Sequence, residues 1–468
     1  MNERKVNITQ NAIIWIALLL FLVVFFLEAH PLVPYDADDW TYLGYIRHAL
    51  PMPGTWNPCK VFPETIEGIC GYIAGYIFFP LTRNFMGAIT AVLSLTYAVW
   101  IFMYFYSVSK LFEKKTIITV FIFVAMHFLV FKSQSNNNKY MFGADNVNAV
   151  FNYTIPAMLN CITIILLEKD KVRHKGLIWL LIYLSIFSNL YNNVILATYA
   201  GVNVLFYLVQ TKSIKDVLNK QRVNLIILLL WVCSLFGEKT GQRASQIGKE
   251  KLLIVDCWKN IFTMISITGF FFSVIVIVTF VLLLFGIWKN IFDKKVLAKI
   301  VLAIGISFIY TMLLCGITNP NYVLRPEVLF ATAFYGFLLI CYIVNSFLNS
   351  VNIDGLYGIC VFILCIEVII SRTPYRSINV RCLPEETAYK VGEDIVQQIM
   401  TADNNNENVV ELHVPLGDTD DNWPHSLYIG GRLSNTLYSL NQASRRMEIR
   451  VLPDNKLNEK YNIIYSTN

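Results

Sequence analysis

The sequence predicts an all-α polytopic membrane protein of about eleven spanning helices, with a small α/β domain at the C-terminus, outside the membrane. Three observations predict this class. Of 468 residues, 56% are hydrophobic and only 15% charged, at a mean hydropathy of +0.52. Soluble chains carry about 25% charged residues and need them to cover a water-facing surface. The apolar residues also fall into runs of membrane length. Charge then divides along the chain: residues 372–468 hold 10 Lys/Arg and 13 Asp/Glu, net −3, which leaves +9 of the total +6 on residues 1–371. With 23 Gly and 15 Pro, collagen and low-complexity disorder are excluded. The basic balance does not point to nucleic acid, because the cations sit in short clusters between apolar runs, where a membrane protein needs them.

A spanning helix needs roughly 20 mostly apolar residues. The runs that qualify, in order, are Asn11–Leu27, Phe85–Phe105, Thr116–Phe131, Ala149–Leu167, Gly176–Phe187, Val194–Val209, Val223–Phe236, Ile261–Gly286, Ile300–Ile317, Val328–Phe347 and Leu356–Ile370. The fifth and sixth are short and flank the polar run Ser188–Asn193, so they form either two spans or one bent hairpin. No small-x-small cleavage site follows the first run, which therefore stays in the protein as a span. Cytoplasmic loops are enriched in Lys and Arg. With the N-terminus inside, 17 of them fall in five inside stretches, among them Arg4, Lys5, Lys110, Lys169 and Lys289, against 11 in the longer outside loops. An odd number of spans places the acidic tail outside. Six of ten cysteines lie in these runs as small apolar residues. Cys59 and Cys70 share the first outside loop, where a disulfide would contribute roughly 3 kcal/mol. No Cys/His spacing matches a zinc site.

Function in such a chain is sought where polar residues break the apolar pattern. The first outside loop, residues 28–84, opens with Asp36, Asp38 and Asp39 within four positions. Asp38 or Asp39 is placed to cap a helix over Trp40–Leu50, which accounts for one carboxylate and not three. Clustered carboxylates raise one another's pKa, which suits general-base work on a hydroxyl or binding of a divalent cation. Glu64 and Glu67 add to this acidity. Ile69–Leu81 is apolar but too short to span, which suits an interfacial or re-entrant helix. Asn136–Asn138, Asn146, Asn148 and Asn152 edge the second outside loop, where amides serve either sugar hydroxyls or ordinary turns. The outside loop Gly237–Asn260 breaks the positive-inside bias with Lys239 and Arg243. Arg325 stands at another outside turn; its guanidinium suits a phosphate, or snorkels to the interface.

The tail reads as a helix over Glu385–Met400 and strands at Val409–Val414, Met447–Leu452 and Tyr461–Tyr465. Asp421, Asn422, Trp423 and His425 follow the first strand, where α/β folds bind ligands; Trp faces stack on sugar rings, and the alternative is a turn with one anchoring Trp. No Walker loop, Rossmann glycine pattern, Gly-x-Ser-x-Gly, HExxH or internal repeat occurs, so neither nucleotide chemistry nor the repeat signature of many transporters is evident.

The acidic Asp36-Ala37-Asp38-Asp39 just after the first span, the many spans and the soluble tail resemble the GT-C class of membrane glycosyltransferases. The stretches Asn422–His425 and Gly430–Tyr438 look similar to the tails of bacterial glucosyltransferase-type proteins that modify surface polysaccharide. The resemblance covers the whole chain in layout and about 40 residues in motif. It implies a transmembrane transferase domain over 1–371, an extracytoplasmic domain over 372–468, and a place in the bacterial cytoplasmic membrane. It implies transfer of a sugar, such as the hexose glucose, from a polyprenyl-phosphate donor to a cell-surface polysaccharide or glycolipid acceptor. On that footing Asp38 or Asp39 is the base and Asp36 its support or a metal ligand. Arg325, Lys239 and Arg243 bind the departing phosphate, and Trp423, Asp421, His425 and Asn422 bind the acceptor. Two rivals stand beside it. A polysaccharide polymerase would show a large late outside loop rich in Arg. A transporter or flippase would need polar residues at mid-membrane, where Glu367 is almost the only charge.

Overall fold

The computed structural model describes residues 2–112, 119–124, 126–127, 147–169, 175–246, 253–267, 270–325, 327–351 and 383–464. The expected span Leu356–Ile370 and half of Thr116–Phe131 lie outside the described residues. The main helices run, in order, α1 (Asn2–Val24, prolonged by a π-turn to Ala29), α2 (Ala37–Leu43), α3 (Val61–Ile73), α4 (Phe85–Ser109), α5 (Ile155–Glu168), α6 (Lys175–Ile186), α7 (Leu190–Thr211), α8 (Arg222–Lys239), α9 (Ile254–Ile267), α10 (Phe270–Trp288), α11 (Lys294–Thr318) and α12 (Phe330–Val351). The C-terminal part adds α13 (Glu385–Asn404), β1 (Val409–Pro415), α14 (Ile429–Ser439), β2 (Glu448–Asp454) and α15 (Asn455–Tyr461).

Among the described residues, six helices are long and apolar enough to cross a membrane: Ala12–Ala29, Phe85–Ser109, Val147–Glu168, Leu190–Thr211, Lys294–Thr318 and Phe330–Ser350. A seventh span is available if Ile214–Lys220 and α8, bent by 89° at their junction, count as one. The expected span Ile261–Gly286 is instead divided between α9 and α10. Gly176–Ile186 is an apolar helix too short to cross alone.

The polar run Ser188–Asn193 is explained by backbone that its amides satisfy. A π-turn at Val150–Thr154 precedes α5. Asn189 and Asn192 donate to the carbonyls of Asn152 (3.0 Å) and Tyr153 (2.8 Å) in that turn. Asn193 donates to Ile186 O (2.9 Å) at the end of α6. In an apolar surrounding such groups must find partners within the protein, and π-turns of this kind concentrate at functional sites.

The first loop is ordered by its own carboxylates. Asp36, not Asp38 or Asp39, is the N-cap of the first-loop helix, which ends at Leu43 rather than continuing to Leu50. Helix α3 continues through a π-turn at Ala74–Phe78 to Thr82. Its passage is close: a Cβ on Gly71 would stand 2.0 Å from Leu43 O, and one on Gly68 2.2 Å from Tyr45 O. Cys59 and Cys70 are both free and buried, and the considered disulfide is absent. Their sulfurs face different elements, Ser234 O in α8 and Thr96 Oγ1 in α4. Burial pushes the two thiols up to about 12 and about 11.

Strands β1 and β2 pair in parallel, with Val409 opposite Glu448. Val410, Leu412 and Val414 are buried between exposed neighbours, the period of two of a half-buried strand. The third strand expected at Tyr461–Tyr465 is not formed over its described residues. Asp454 caps α15 instead, accepting from Lys456 N (2.8 Å), and this turns the chain into helix. The C-terminal part packs onto the first loop. Thr436 Oγ1 donates to Trp40 O (2.6 Å), Tyr76 OH to Ser439 O (3.1 Å) and Asn84 Nδ2 to Tyr389 OH (2.7 Å). His30 pairs with Glu385 at the end of α1.

Candidate functional site

Where α2, α3 and α14 meet, a polar cavity of about 870 Å³ opens. Asp38, Tyr42, Arg47, Trp56, Asn57 and Glu64 line it from the first loop. Tyr428, Arg432, Asn435, Ser439 and Arg446 line it from the C-terminal part.

The three expected aspartates have different environments. Asp36 is buried, and its Oδ1 accepts from Asp38 N (2.8 Å) and Asp39 N (3.0 Å). Asp39 is fully buried, and both its oxygens are used. Oδ2 accepts from Tyr35 N (3.1 Å) and Asp36 N (3.4 Å), and Oδ1 from Asn148 N (2.7 Å). Together these form a capping box that ties the first loop to the segment leading into α5. Burial first, then the Asp36 charge, push the Asp39 carboxyl up, against the three N–H groups that pull it down. Asp38 alone is exposed, on the cavity wall.

Glu64 and Glu67, three residues apart on α3, face the same region. Arg47 forms a buried ion pair with Glu64 and donates to Asn57 O (2.6 Å) and Pro58 O (2.6 Å), while Asn57 donates to Glu64 (3.0 Å). Glu67 is fully buried, and neither carboxyl oxygen has a hydrogen-bond partner. Burial first, then Asp39, Glu64, Asp36 and Asp38, hold its pKa well above the ordinary range. Burial and the Asp38 charge likewise push the Tyr428 phenol up. Among the described residues no three His, Cys, Asp or Glu side chains are grouped to hold a metal ion. Asp36 and Asp39 accept from backbone N–H groups and Glu64 pairs with Arg47, while Asp38 and Glu67 make no such contacts among the described residues.

Around Tyr153, next to the α3 N-terminus, cations gather at aromatic rings. Lys60 Nζ lies 5.9 Å from the Tyr153 ring centre and 3.2 Å from Asn152 Oδ1. The Arg325 guanidinium is 5.3 Å from the rings of both Tyr153 and Tyr322. It also pairs with the buried Glu327 (2.5 Å). Arg243 lies within electrostatic reach of Tyr153, Tyr322 and Tyr191. Tyr191 OH and Thr318 Oγ1, 2.6 Å apart, close the floor between α7 and α11. The fold therefore brings Arg325 and Arg243 together and adds Lys60, while Lys239 is exposed at the end of α8.

The tail residues divide differently. Asn422 is buried in a left-handed backbone conformation (φ 58°). It accepts from Gly417 N (2.6 Å) and donates to Pro415 O (3.1 Å) and His425 O (3.0 Å). Its amide builds the turn. Trp423 packs edge-on against Tyr35, 6.3 Å between ring centres. His425 is buried, and burial pushes it down to about 4. Asp421 is exposed and accepts from Thr419 Oγ1 (2.8 Å). None of the four lines the cavity; Tyr428, Arg432, Asn435 and Arg446 do so in their place.

Sequence reasoning missed Arg47, Lys60 and Tyr153 as site residues. Lys60 is one residue before α3, and Tyr153 is buried in the π-turn, so neither stands out from a loop cation or a membrane tyrosine. The i, i+3 spacing of Glu64 and Glu67 was the available signal, since it puts both on one helix face. No family model matches the chain, and no curated protein or solved structure matches it.

Proposed function

We propose that the protein is a membrane glycosyltransferase that moves a sugar from a polyprenyl-phosphate donor to a glycan or glycolipid acceptor at the outer membrane face. The observation that carries this reading is the presence of two chemistries, one in a cavity lined by the first loop and one in a cation cluster that includes Lys60 at the α3 N-terminus. An exposed Asp38 stands on the wall of a polar cavity of about 870 Å³. Lys60, Arg243 and Arg325 cluster around Tyr153 and Tyr322. Transfer from a lipid phosphate needs both: a base for the acceptor hydroxyl and fixed cations where negative charge develops on the leaving group.

In this reading the acceptor lies in the cavity, its ring against Trp56 or Tyr428, and Asp38 takes the hydroxyl proton as the oxygen attacks the sugar carbon. The bond to the lipid phosphate breaks, its electron pair stays on the departing phosphate oxygen, and Lys60, Arg243 and Arg325 stabilise that charge. Asp36 and Asp39 fix the helix that carries Asp38. The finer topology, with the N-terminus inside and a separate outer domain over 372–468 in the bacterial cytoplasmic membrane, belongs to this proposal. So does the hexose donor.

The test is steady-state transfer with a polyprenyl-phosphate hexose. Arg325→Gln and Lys60→Gln should each lower kcat/KM for that donor by roughly tenfold to a hundredfold, the range of a lost charge-assisted hydrogen bond. Unchanged kinetics in both variants would refute the phosphate assignment.

A further inference from the structure

The cavity has two walls of opposite charge, and the charges on the second wall are unspent. Helix α14 buries Ile429, Leu433 and Leu437. Tyr428, Arg432, Asn435 and Ser439, at spacings of four, three and four, line the cavity from its other face. Arg446 joins them and rests over the Tyr438 ring at 5.2 Å. The neighbouring arginines are neutralised: Arg445 pairs with Asp403 and Arg450 with Glu448. Among the described residues, Arg432 and Arg446 have no carboxylate within ion-pair distance, although Asp38 and Glu64 line the same cavity. Arg47, the remaining cavity cation, is spent on Glu64.

We propose that the cavity binds an anionic glycan, with phosphate or carboxylate groups of the acceptor held by Arg432 and Arg446 while an accepting hydroxyl faces Asp38. The role of that glycan as acceptor rests on the transferase reading; the binding itself does not. A neutral glycan could accept hydrogen bonds from these two exposed guanidiniums but would leave their charge uncompensated, which an anionic group would not. Arginine forks suit planar carboxylates and phosphates in pairs. The aromatic residues Trp56, Tyr42 and Tyr428 supply faces for the neutral part of the ring.

The experiment is equilibrium binding to the purified full chain in detergent micelles. The probes are a glycerol-phosphate hexamer, a galacturonate hexamer and neutral maltohexaose. At least one anionic probe should bind tenfold or more tighter than maltohexaose, with an advantage that shrinks in added salt. The double variant Arg432→Gln/Arg446→Gln should erase that advantage, while Arg445→Gln/Arg450→Gln, which removes two positive charges outside the cavity, should keep it. Which anion is preferred identifies the group. Equal binding of neutral and anionic probes would overturn the proposal, and so would an anion preference that survives in the double variant. An anion preference that is lost in the double variant, in a protein that transfers sugar from no lipid-linked donor, would refute the transferase reading alone and leave the anion site standing.

Discussion

The roles of Asp38 and Asp39 separate under one substitution each. Asp39→Asn exchanges one acceptor oxygen for an NH₂ group inside a fully buried box. Whichever way the amide turns, it meets backbone donors: Tyr35 N and Asp36 N on one side, or Asn148 N on the other. A buried N–H left without its acceptor costs about 1–3 kcal/mol, and the intruding donor adds to it. The expected loss is therefore about 2–4 kcal/mol. Asp38 is exposed, and Asp38→Asn should change stability by about 0.5 kcal/mol or less. Its transfer rate should fall by roughly 10²- to 10⁴-fold, as for a lost general base. The assay measures unfolding in detergent and sugar transfer on the same preparations. A stable, inactive Asp39→Asn beside a fully active Asp38→Asn would refute this division and make Asp39 the base.

Glu67 holds a raised pKa, so the folded protein keeps a proton that the unfolded chain releases above about pH 4.3. Stability is then full below that value and is lost as pH rises from it through the raised pKa of the folded state. Glu67→Gln should match wild type near pH 4 and be the more stable protein at neutral pH; equal melting at both pH values would contradict this. His425 runs the other way. Pushed down to about 4, it stays neutral in the fold while the unfolded chain takes up a proton, so stability falls as pH drops from about 6.5 toward 4. The size is up to about 3 kcal/mol at about 1.36 kcal/mol per pKa unit, and His425→Gln should flatten that limb of the melting curve. Gly71→Ala would set a Cβ 2.0 Å from Leu43 O, a backbone atom with no rotamer to yield. It should cost about 1–3 kcal/mol and, by displacing α2, lower transfer as well. Wild-type stability and activity in that variant would show that α2 and α3 do not pack this closely.

The membrane class, most of the spans, the amphipathic α13 and the two strands were legible because each rests on a period or a length. The site was legible only as a collection of types. Asp36, Asp38 and Asp39 read alike in the sequence; what distinguishes them is which oxygens meet backbone N–H groups, and that depends on Asn148, 109 residues away. Asn422 and His425 read as ligand residues because turn-building amides and buried imidazoles share the composition of a binding loop. The Ser188–Asn193 run suggested a doubtful span because its partners, the carbonyls of the Val150–Thr154 π-turn, cannot be seen from hydropathy. Arg446 lacked any local signal and Arg432 stood out only as part of the Gly430–Tyr438 stretch, since it is the packing of α14 on α2 that turns them into a wall.

Sugar transfer at the outer face can be measured in sealed membrane vesicles holding the full chain. These are supplied with a panel of radiolabelled polyprenyl-phosphate sugars and a glycan acceptor on the side of the cavity. Label from one donor should become covalently attached to the acceptor, and that attachment should disappear in Asp38→Asn while the folded protein persists. Label that crosses the membrane still joined to its lipid, without attachment and equally in both proteins, would contradict sugar transfer and favour a carrier of lipid-linked sugars.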